Sequence, residues 1–303
     1  KLIRSLYRNK SFIYLIDLIT MHLDFIFVGP YKTGTSWIYE YLKNHSQVSL
    51  PLTVKETYFF DEKFSKGKEW YLSHFRTKNS SQIFCDVSPS YFHSAEATNN
   101  LYEFSPDAQV IVTLREPLDR LVSYYLHMLS KGDIESSTSF IKALDMKKLL
   151  VESSLYYKHL SRWIERFGYD QVTVMYYEDF KLDNFKFCQS ICEKLDINFS
   201  TTDDLFEKRI NSATTPVNFK LARLASRTNR WLRHHEMHGI VNAVKHTPLK
   251  SLIYRDGKAS INISADELNI AFEYIRNEMK NLETLDVNLD MWKVSWQNKR
   301  VIF

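Results

Sequence analysis

Residues 25–37 read Phe25-Ile26-Phe27-Val28-Gly29-Pro30-Tyr31-Lys32-Thr33-Gly34-Thr35-Ser36-Trp37, an apolar strand, a small-residue loop carrying one lysine, and the start of a helix. A strand that hands over to a helix in this way presents successive backbone N–H groups and the positive helix end, so phosphate oxygens can be held without side chains. Gly29 and Gly34 have four residues between them, the spacing of a nucleoside-triphosphate P-loop, but the next position, which carries the lysine in such loops, is Thr35. The lysine sits inside the loop instead, at Lys32, where it reaches the first phosphate rather than the last.

The chain around this loop alternates strands and helices. Strands are expected at about 24–28, 82–87, 109–114 and 171–176, and helices from Gly34, at 66–74 and 95–104, from Pro117, and at 136–147, 153–167 and 184–195. Residues 196–217 read as a loop. Alternation of this kind implies an α/β fold, a P-loop-like three-layer sandwich with a central parallel sheet flanked by helices. Ligands then collect at the carboxyl ends of the strands, where Lys32 and Arg115 both fall.

Composition narrows the function classes. The 303 residues carry 40 Lys and Arg against 36 Asp and Glu, a net charge of +4, far below the basic excess of a nucleic-acid binder. The composition favours one domain over residues 23–303, preceded by an amphipathic basic segment at 1–22 that can touch a membrane or pack on the domain. No run reaches the ~20 apolar residues of a membrane span. Cys85, Cys188 and Cys192 are too few and too unevenly spaced for a disulfide framework. They point to a reducing, cytoplasmic setting, with Cys188 and Cys192 as core residues on one helix face.

Arg115 ends the third strand, and Ser123 lies eight residues later, two turns into the next helix, so a guanidinium and a hydroxyl can meet at one anion. The stretch Ile111-Val112-Thr113-Leu114-Arg115-Glu116-Pro117-Leu118-Asp119-Arg120-Leu121-Val122-Ser123-Tyr124-Tyr125 resembles the 3′-phosphate motif of sulfotransferases that use 3′-phosphoadenosine-5′-phosphosulfate (PAPS). Lys32-Thr33-Gly34-Thr35-Ser36-Trp37 resembles their 5′-phosphosulfate loop. Two specific motifs, in order and about eighty residues apart, make the resemblance strong. Further segments extend it: Lys55-Glu56-Thr57-Tyr58-Phe59-Phe60-Asp61 and Asp86-Val87-Ser88-Pro89-Ser90-Tyr91-Phe92 are similar to glycosaminoglycan-type members. Ser154-Leu155-Tyr156, with Leu160 and Trp163, fits a later helix of those enzymes, and the tail at 285–292 resembles that of bacterial members.

The resemblance implies PAPS as sulfuryl donor, 3′,5′-adenosine bisphosphate as product, no metal, and a hydroxyl or amine of a carbohydrate or glycoconjugate as acceptor. Lys32 and Glu56 are then catalytic, the first stabilising the leaving phosphate and the second acting as general base. The donor-binding set is Lys32, Thr33, Gly34, Thr35, Ser36, Arg115, Ser123 and Tyr156, and the acceptor side holds Tyr58, Asp61 and His93. Without the resemblance, Glu56 reads as a surface carboxylate paired with Lys55.

Some positions depart from the pattern. Tyr31 separates Pro30 from Lys32, Val87 stands where heparan-type enzymes carry a lysine, and Tyr58 stands where a histidine is frequent. These departures weigh against a highly sulfated or uronate-rich acceptor. Lys220, Arg223 and Arg227 are candidates to cover the nucleotide, and residues 228–262, with Trp231, His234 and Arg255, are candidates for an acceptor lid. His127 is a candidate second base or a structural residue. His234 and His238, one turn apart, suit a solvated basic helix better than a metal site. A small-molecule P-loop kinase is the rival enzyme, lacking its lysine after Gly34, and a non-catalytic nucleotide-binding module is the rival from outside catalysis.

Overall fold

The computed structural model describes residues 22–75, 82–200, 214–235, 237, 239–241, 253–256 and 261–303. Five strands, β1 (Phe25–Val28), β2 (Val48–Ser49), β3 (Ile83–Val87), β4 (Gln109–Leu114) and β5 (Val172–Tyr176), form one sheet in the order β2-β3-β1-β4-β5. Every pairing in it is parallel, with Phe25 opposite Cys85 on one side and Gln109 on the other. Because β1 is central, the segments leaving β1, β3 and β4 emerge side by side at one edge. That edge receives the loop at 29–34, the 3-10 turn Pro89–His93 and the Arg115-Glu116 corner.

Both sheet faces are covered, which explains why the strands are apolar nearly throughout rather than alternating. Ile26, Val28, Val110, Val112 and Leu114 face one core with Leu101, Leu118, Trp163 and Trp292. Phe27, Cys85, Val87 and Ile111 face the other with Trp37, Ile38, Cys188 and Cys192. Helices α1 (Thr35–Lys43), α2 (Ala95–Phe104), α3 (Pro117–Lys131), α4 (Tyr156–Phe167) and α5 (Asn184–Leu195) make the outer layers.

Local sequence fixes where these helices begin. Ser94 caps α2 by accepting from the Ala97 N–H, and Asp183 caps α5 by accepting from Phe185 and Lys186. Glu116 caps α3 with both carboxylate oxygens, accepting from Leu118 and Asp119 at 3.0 and 2.8 Å, while Pro117 occupies the first turn and Gly132 ends the helix in the left-handed region at φ 67°.

Several expectations change. Strand β2 is absent from the sequence reading because two residues carry no periodicity. Residues 214–216, read as loop, are strand: β6 (Thr214–Pro216) pairs antiparallel with β7 (Tyr254–Asp256), a long-range pairing with no local signature. Residues 196–200 carry no helix or strand, and 201–213 lie outside the described residues, as do 1–21 and His238. The helices expected at 136–147 and 153–167 run over Phe140–Met146 and Tyr156–Phe167. The chain also forms α6 (Phe219–His234) and, beyond two helices at Ala265–Glu273 and Arg276–Leu282, α7 (Asp290–Asn298).

Gly29 is required by space. A Cβ there would lie 2.3 Å from Thr113 Oγ1 and 2.4 Å from the Thr113 carbonyl oxygen, and the second atom is backbone that cannot rotate away. Gly29→Ala is therefore expected to destabilise the fold by roughly 1–3 kcal/mol through overpacking. Urea unfolding measures this, and an unchanged midpoint would show that β1 and β4 are less tightly apposed than described.

Candidate active site

The loop after β1 is held from beneath by buried polar contacts. Thr33 is buried, its hydroxyl donating to the Pro30 carbonyl at 2.9 Å and lying 2.9 Å from Thr113 Oγ1. Two guanidinium groups grip adjacent carbonyls of the loop, Arg120 Nη1 on Tyr31 at 3.4 Å and Arg115 Nη1 on Lys32 at 3.2 Å. Lys32 itself has φ 83°, a left-handed conformation that costs a non-glycine residue about 1 kcal/mol or more. Helix α1 then starts at Gly34, φ 91°, with no side chain capping its first turn. Thr33 thus serves as a latch, while Thr35 and Ser36 open the helix.

Positive charge concentrates here. Burial, with Arg115, Lys131 and Lys55 close by, lowers the Lys32 ammonium to about 8. Burial and the same lysines, Lys32 and Lys131, take His127 down to about 3, so it is neutral and no cation is added. Arg120, Tyr124, His127 and Lys131 recur at helical spacing along the side of α3 that faces the loop. Arg120 bonds the Tyr31 carbonyl, and the Tyr124 ring lies 5.4 Å from that of Tyr31. Ser123 belongs to the same side, one turn from Arg120 and from His127. Such a surface attracts an anion, which would relieve the mutual repulsion of its cations.

Glu56 stands beside this cradle and is wired to it. Lys55 Nζ donates to Glu56 Oε1 at 3.1 Å and to Ser36 Oγ on α1 at 2.9 Å. The second oxygen, Oε2, accepts from the Tyr58 hydroxyl at 2.8 Å, a bond made possible because Tyr58 has φ 54° and turns its ring back. The ion pair with Lys55 exists, but the Glu56 side chain is only 17% exposed, so it is not a free surface carboxylate. Thr57, the next residue, is buried and lies 2.9 Å from the Tyr91 hydroxyl, which also accepts from Phe59 N–H. Asp86 at the end of β3 accepts from the Tyr71 hydroxyl at 2.9 Å, completing a rigid floor under the segment.

Around Glu56, beyond its partner Lys55, the side chains are mostly aromatic, with Asp61 close by and the Arg233 charge felt at Tyr58. Burial first, then Tyr58, Glu56, Tyr124 and Asp61, push the Tyr31 hydroxyl far above its ordinary range, which places these five groups together and keeps Tyr31 protonated. Asp61 is raised to about 6, chiefly by burial, and its Oδ1 finds no partner among the described residues. His93, 6.2 Å from the Tyr31 ring, is lowered to about 4 by burial and then by Arg120, and its buried Nδ1 is likewise unsatisfied. Orphaned buried atoms of this kind are what an incoming ligand satisfies.

Arg115 is positioned from behind. Tyr156, fully buried, donates its hydroxyl to the Arg115 carbonyl at 2.9 Å. The structure therefore makes Tyr156 a support for Arg115 rather than a group on the open side of the cradle, a change from the sequence reading. The Tyr177 ring lies 4.7 Å from the Arg115 guanidinium, whose buried Nε has no partner among the described residues. The adjoining Glu116 is fully buried and is clamped by the chain's end: Trp296 Nε1 donates to Oε1 at 2.6 Å, and Lys299 Nζ bridges Oε2 and Asp119 Oδ1. Glu178 accepts from the Glu116 N–H at 3.0 Å and from Trp292 Nε1 at 3.1 Å.

The structure thus brings Lys32, Thr33, Gly34, Thr35, Ser36 and Arg115 to one edge of the sheet with Glu56, Tyr58, Asp61 and His93 beside them. Arg223 is engaged elsewhere, its Nε donating to the Gly132 carbonyl at 3.1 Å, while Lys220, Arg227 and Trp231 are exposed on α6. The side chains of His234 and Arg255 lie outside the described residues. Sequence reasoning missed Lys55, Arg120 and Lys131 as parts of the site. Arg120 and Lys131 were legible as helical-spacing neighbours of Ser123, whereas the Trp296 and Lys299 clamp has no local signal.

The sulfotransferase domain model matches residues 22–243. Heparan sulfate glucosamine 3-O-sulfotransferase 5 of Mus musculus is 31% identical over 182 residues, covering 55% of this chain and 51% of that protein. Bifunctional heparan sulfate N-deacetylase/N-sulfotransferase 4 of the same organism is 31% identical over 170 residues, 50% of this chain and 20% of that one. The chain therefore spans about half the length of the first relative and a fifth of the second. In fold it is similar to a crystal structure of a sulfotransferase from Alicyclobacillus acidocaldarius, with TM-score 0.52 and 23% identity, covering 61% of this chain and 89% of that one.

The Glu116 clamp gives a stability prediction. Lys299→Met leaves a fully buried carboxylate without its cation and is expected to cost about 3–5 kcal/mol, much of which Glu116→Gln in the same chain should restore. Denaturant titration of both variants checks it; additive losses would mean the two residues are not coupled.

Proposed function

The chain belongs to the sulfotransferase family, and on that premise we propose that it transfers the sulfuryl group of PAPS to a hydroxyl of a carbohydrate acceptor. One observation carries the reading. A single ammonium, Lys55, bonds both the carboxylate of Glu56 and a hydroxyl of the cradle helix, which ties a candidate base to an anion-binding loop. A nucleotide-binding module without catalysis has no need of that link.

The residues present fit the donor. Its phosphate groups suit the cations gathered at Lys32 and Arg115, with Lys131 close enough to act on Lys32, and the unsatisfied Nε of Arg115 supports a site for a further phosphate there. Lys32 with the backbone of residues 33–36 would hold the 5′ side, and Arg115 with Ser123 the 3′-phosphate. When bound, PAPS supplies the activated sulfuryl group and its leaving phosphate. Lys32 stabilises the negative charge that develops at that phosphate. Glu56 takes the proton of the acceptor hydroxyl on Oε1 or Oε2, and its bonds from Lys55 and Tyr58 hold the carboxylate still for that task.

The acceptor side favours a carbohydrate of low negative charge. Tyr31, Tyr58 and Tyr124 offer ring faces and hydroxyls, His93 is neutral above about pH 4, and Asp61 repels anions once ionised above about pH 6. Val87 is buried in the sheet core, so that position supplies no ammonium to a polyanion. The curated relatives carry heparan sulfate in their names, and this cleft argues for an acceptor less acidic than that.

Two measurements test the proposal. In an assay with labelled PAPS and neutral oligosaccharides, Glu56→Gln should lower kcat by ~10²–10⁴ while leaving affinity for 3′,5′-adenosine bisphosphate nearly unchanged; retention of full activity would remove Glu56 from the mechanism. For the second, the sign follows from Lys32. Its ammonium is lowered to about 8 in the free protein, so it is charged below that pH and neutral above it. Bound anion favours the charged form, so bisphosphate affinity should fall above about pH 8, by up to ~10-fold per pH unit. Lys32→Arg should flatten the profile; a wild-type affinity constant to pH 9.5 would contradict this role.

A further inference from the structure

Helix α6 turns an apolar side outward. The side facing the protein mixes Phe219 and the buried Ala222 with polar contacts: Arg223 bonds the Gly132 carbonyl, Ser226 Oγ donates to the Lys131 carbonyl at 2.7 Å, and Arg230 pairs with Asp133 at 2.8 Å. On the opposite side Leu221, Leu224, Ala225, Thr228, Trp231 and Leu232 fall within an arc of about 120°. Leu221, Leu224 and Trp231 are 49%, 62% and 56% exposed. Val217 just before the helix and Met237 and Ile240 just after it are exposed as well. Exposed Lys220 and Arg227 border the apolar arc. Five Lys and Arg occur between 219 and 234, and no Asp or Glu.

We propose that this face of α6 is a docking surface for an anionic lipid bilayer. Exposed leucines and a tryptophan over a wide arc, edged by basic side chains on an amphipathic helix, are what binding in the plane of a membrane interface requires. The charge makes the choice of occupant. A second copy of the chain would bring two such basic helices together and repel. A soluble polyanion pairs with the cations but gains nothing from Leu221, Leu224 and Trp231. Only a surface that is both anionic and apolar beneath satisfies both halves of the pattern. Among the described residues no helix is long and apolar enough to cross a membrane. The inference is independent of the transfer chemistry.

Co-sedimentation with phosphatidylcholine vesicles, with and without phosphatidylglycerol, tests it on the full chain. The wild type should bind the anionic vesicles, with a blue shift of tryptophan emission, and bind the neutral ones far less. Leu224→Ser with Trp231→Ser, both outward-facing and so compatible with folding, should reduce binding by roughly tenfold or more. Lys220→Glu with Arg227→Glu should remove the part that is lost at high salt. No binding to anionic vesicles, or equal binding by the serine variant, overturns the proposal. So does binding of heparin alone with vesicles ignored, or a wild-type dimer that the serine variant abolishes.

Discussion

Arg115, Lys131 and Lys55 lie close enough to the buried Lys32 for their charges to act on it, and the surrounding structure is arranged to keep them there. Crowding like charges away from water is unfavourable, so the fold must over-determine the positions that carry them. It does so in layers. The Thr33 hydroxyl fixes the loop to β4, while Arg120, buried without a carboxylate, spends its donors on the Tyr31 and Leu150 carbonyls and the Ser154 hydroxyl. Tyr156 holds the Arg115 carbonyl from behind. The carboxylates sit one layer further down, where Glu116 and Glu178 bind the two indoles and Lys299 of the chain's end.

This arrangement couples the last forty residues to a loop near the start of the chain. Residues beyond 243 lie outside the matched domain, yet α7 delivers Trp292 and Trp296 to the corner from which Arg115 projects. The corner therefore inherits its rigidity from a helix that contributes nothing to the open side of the site. Glu56 is treated similarly. Its own position follows from the left-handed turn at Tyr58 and from Thr57, whose hydroxyl is locked on Tyr91 over the buried Asp86. A carboxylate held by two donors and a floor of buried hydroxyls has little freedom left to lose on binding.

The fold class was legible because it rests on local signals: four apolar strands alternating with helices, with a small-residue turn after the first. β2 and the β6–β7 pair were not, since two- and three-residue strands are made by tertiary pairing rather than by pattern. In the site, the loop and the Arg115–Ser123 helix were readable because each is contiguous in sequence. Tyr156 was read as a ligand-facing residue and is instead buried behind Arg115, a distinction of depth that spacing cannot express. The role of Lys55 as a bridge depended on Ser36 approaching from another element, and the Lys299 clamp joins residues 180 positions apart. Contacts of that range are set by the packing of the whole sheet.

The central claim is that the cation cluster at the end of β1 and β4 is the binding site for an adenosine nucleotide with a 3′-phosphate. Calorimetric titration with 3′,5′-adenosine bisphosphate, set against ATP with magnesium, tests it most directly on the wild type and on Arg115→Ala. The account predicts tight bisphosphate binding, weak ATP binding, and loss of the former in the variant. Preference for ATP with magnesium, indifferent to Arg115, would contradict it.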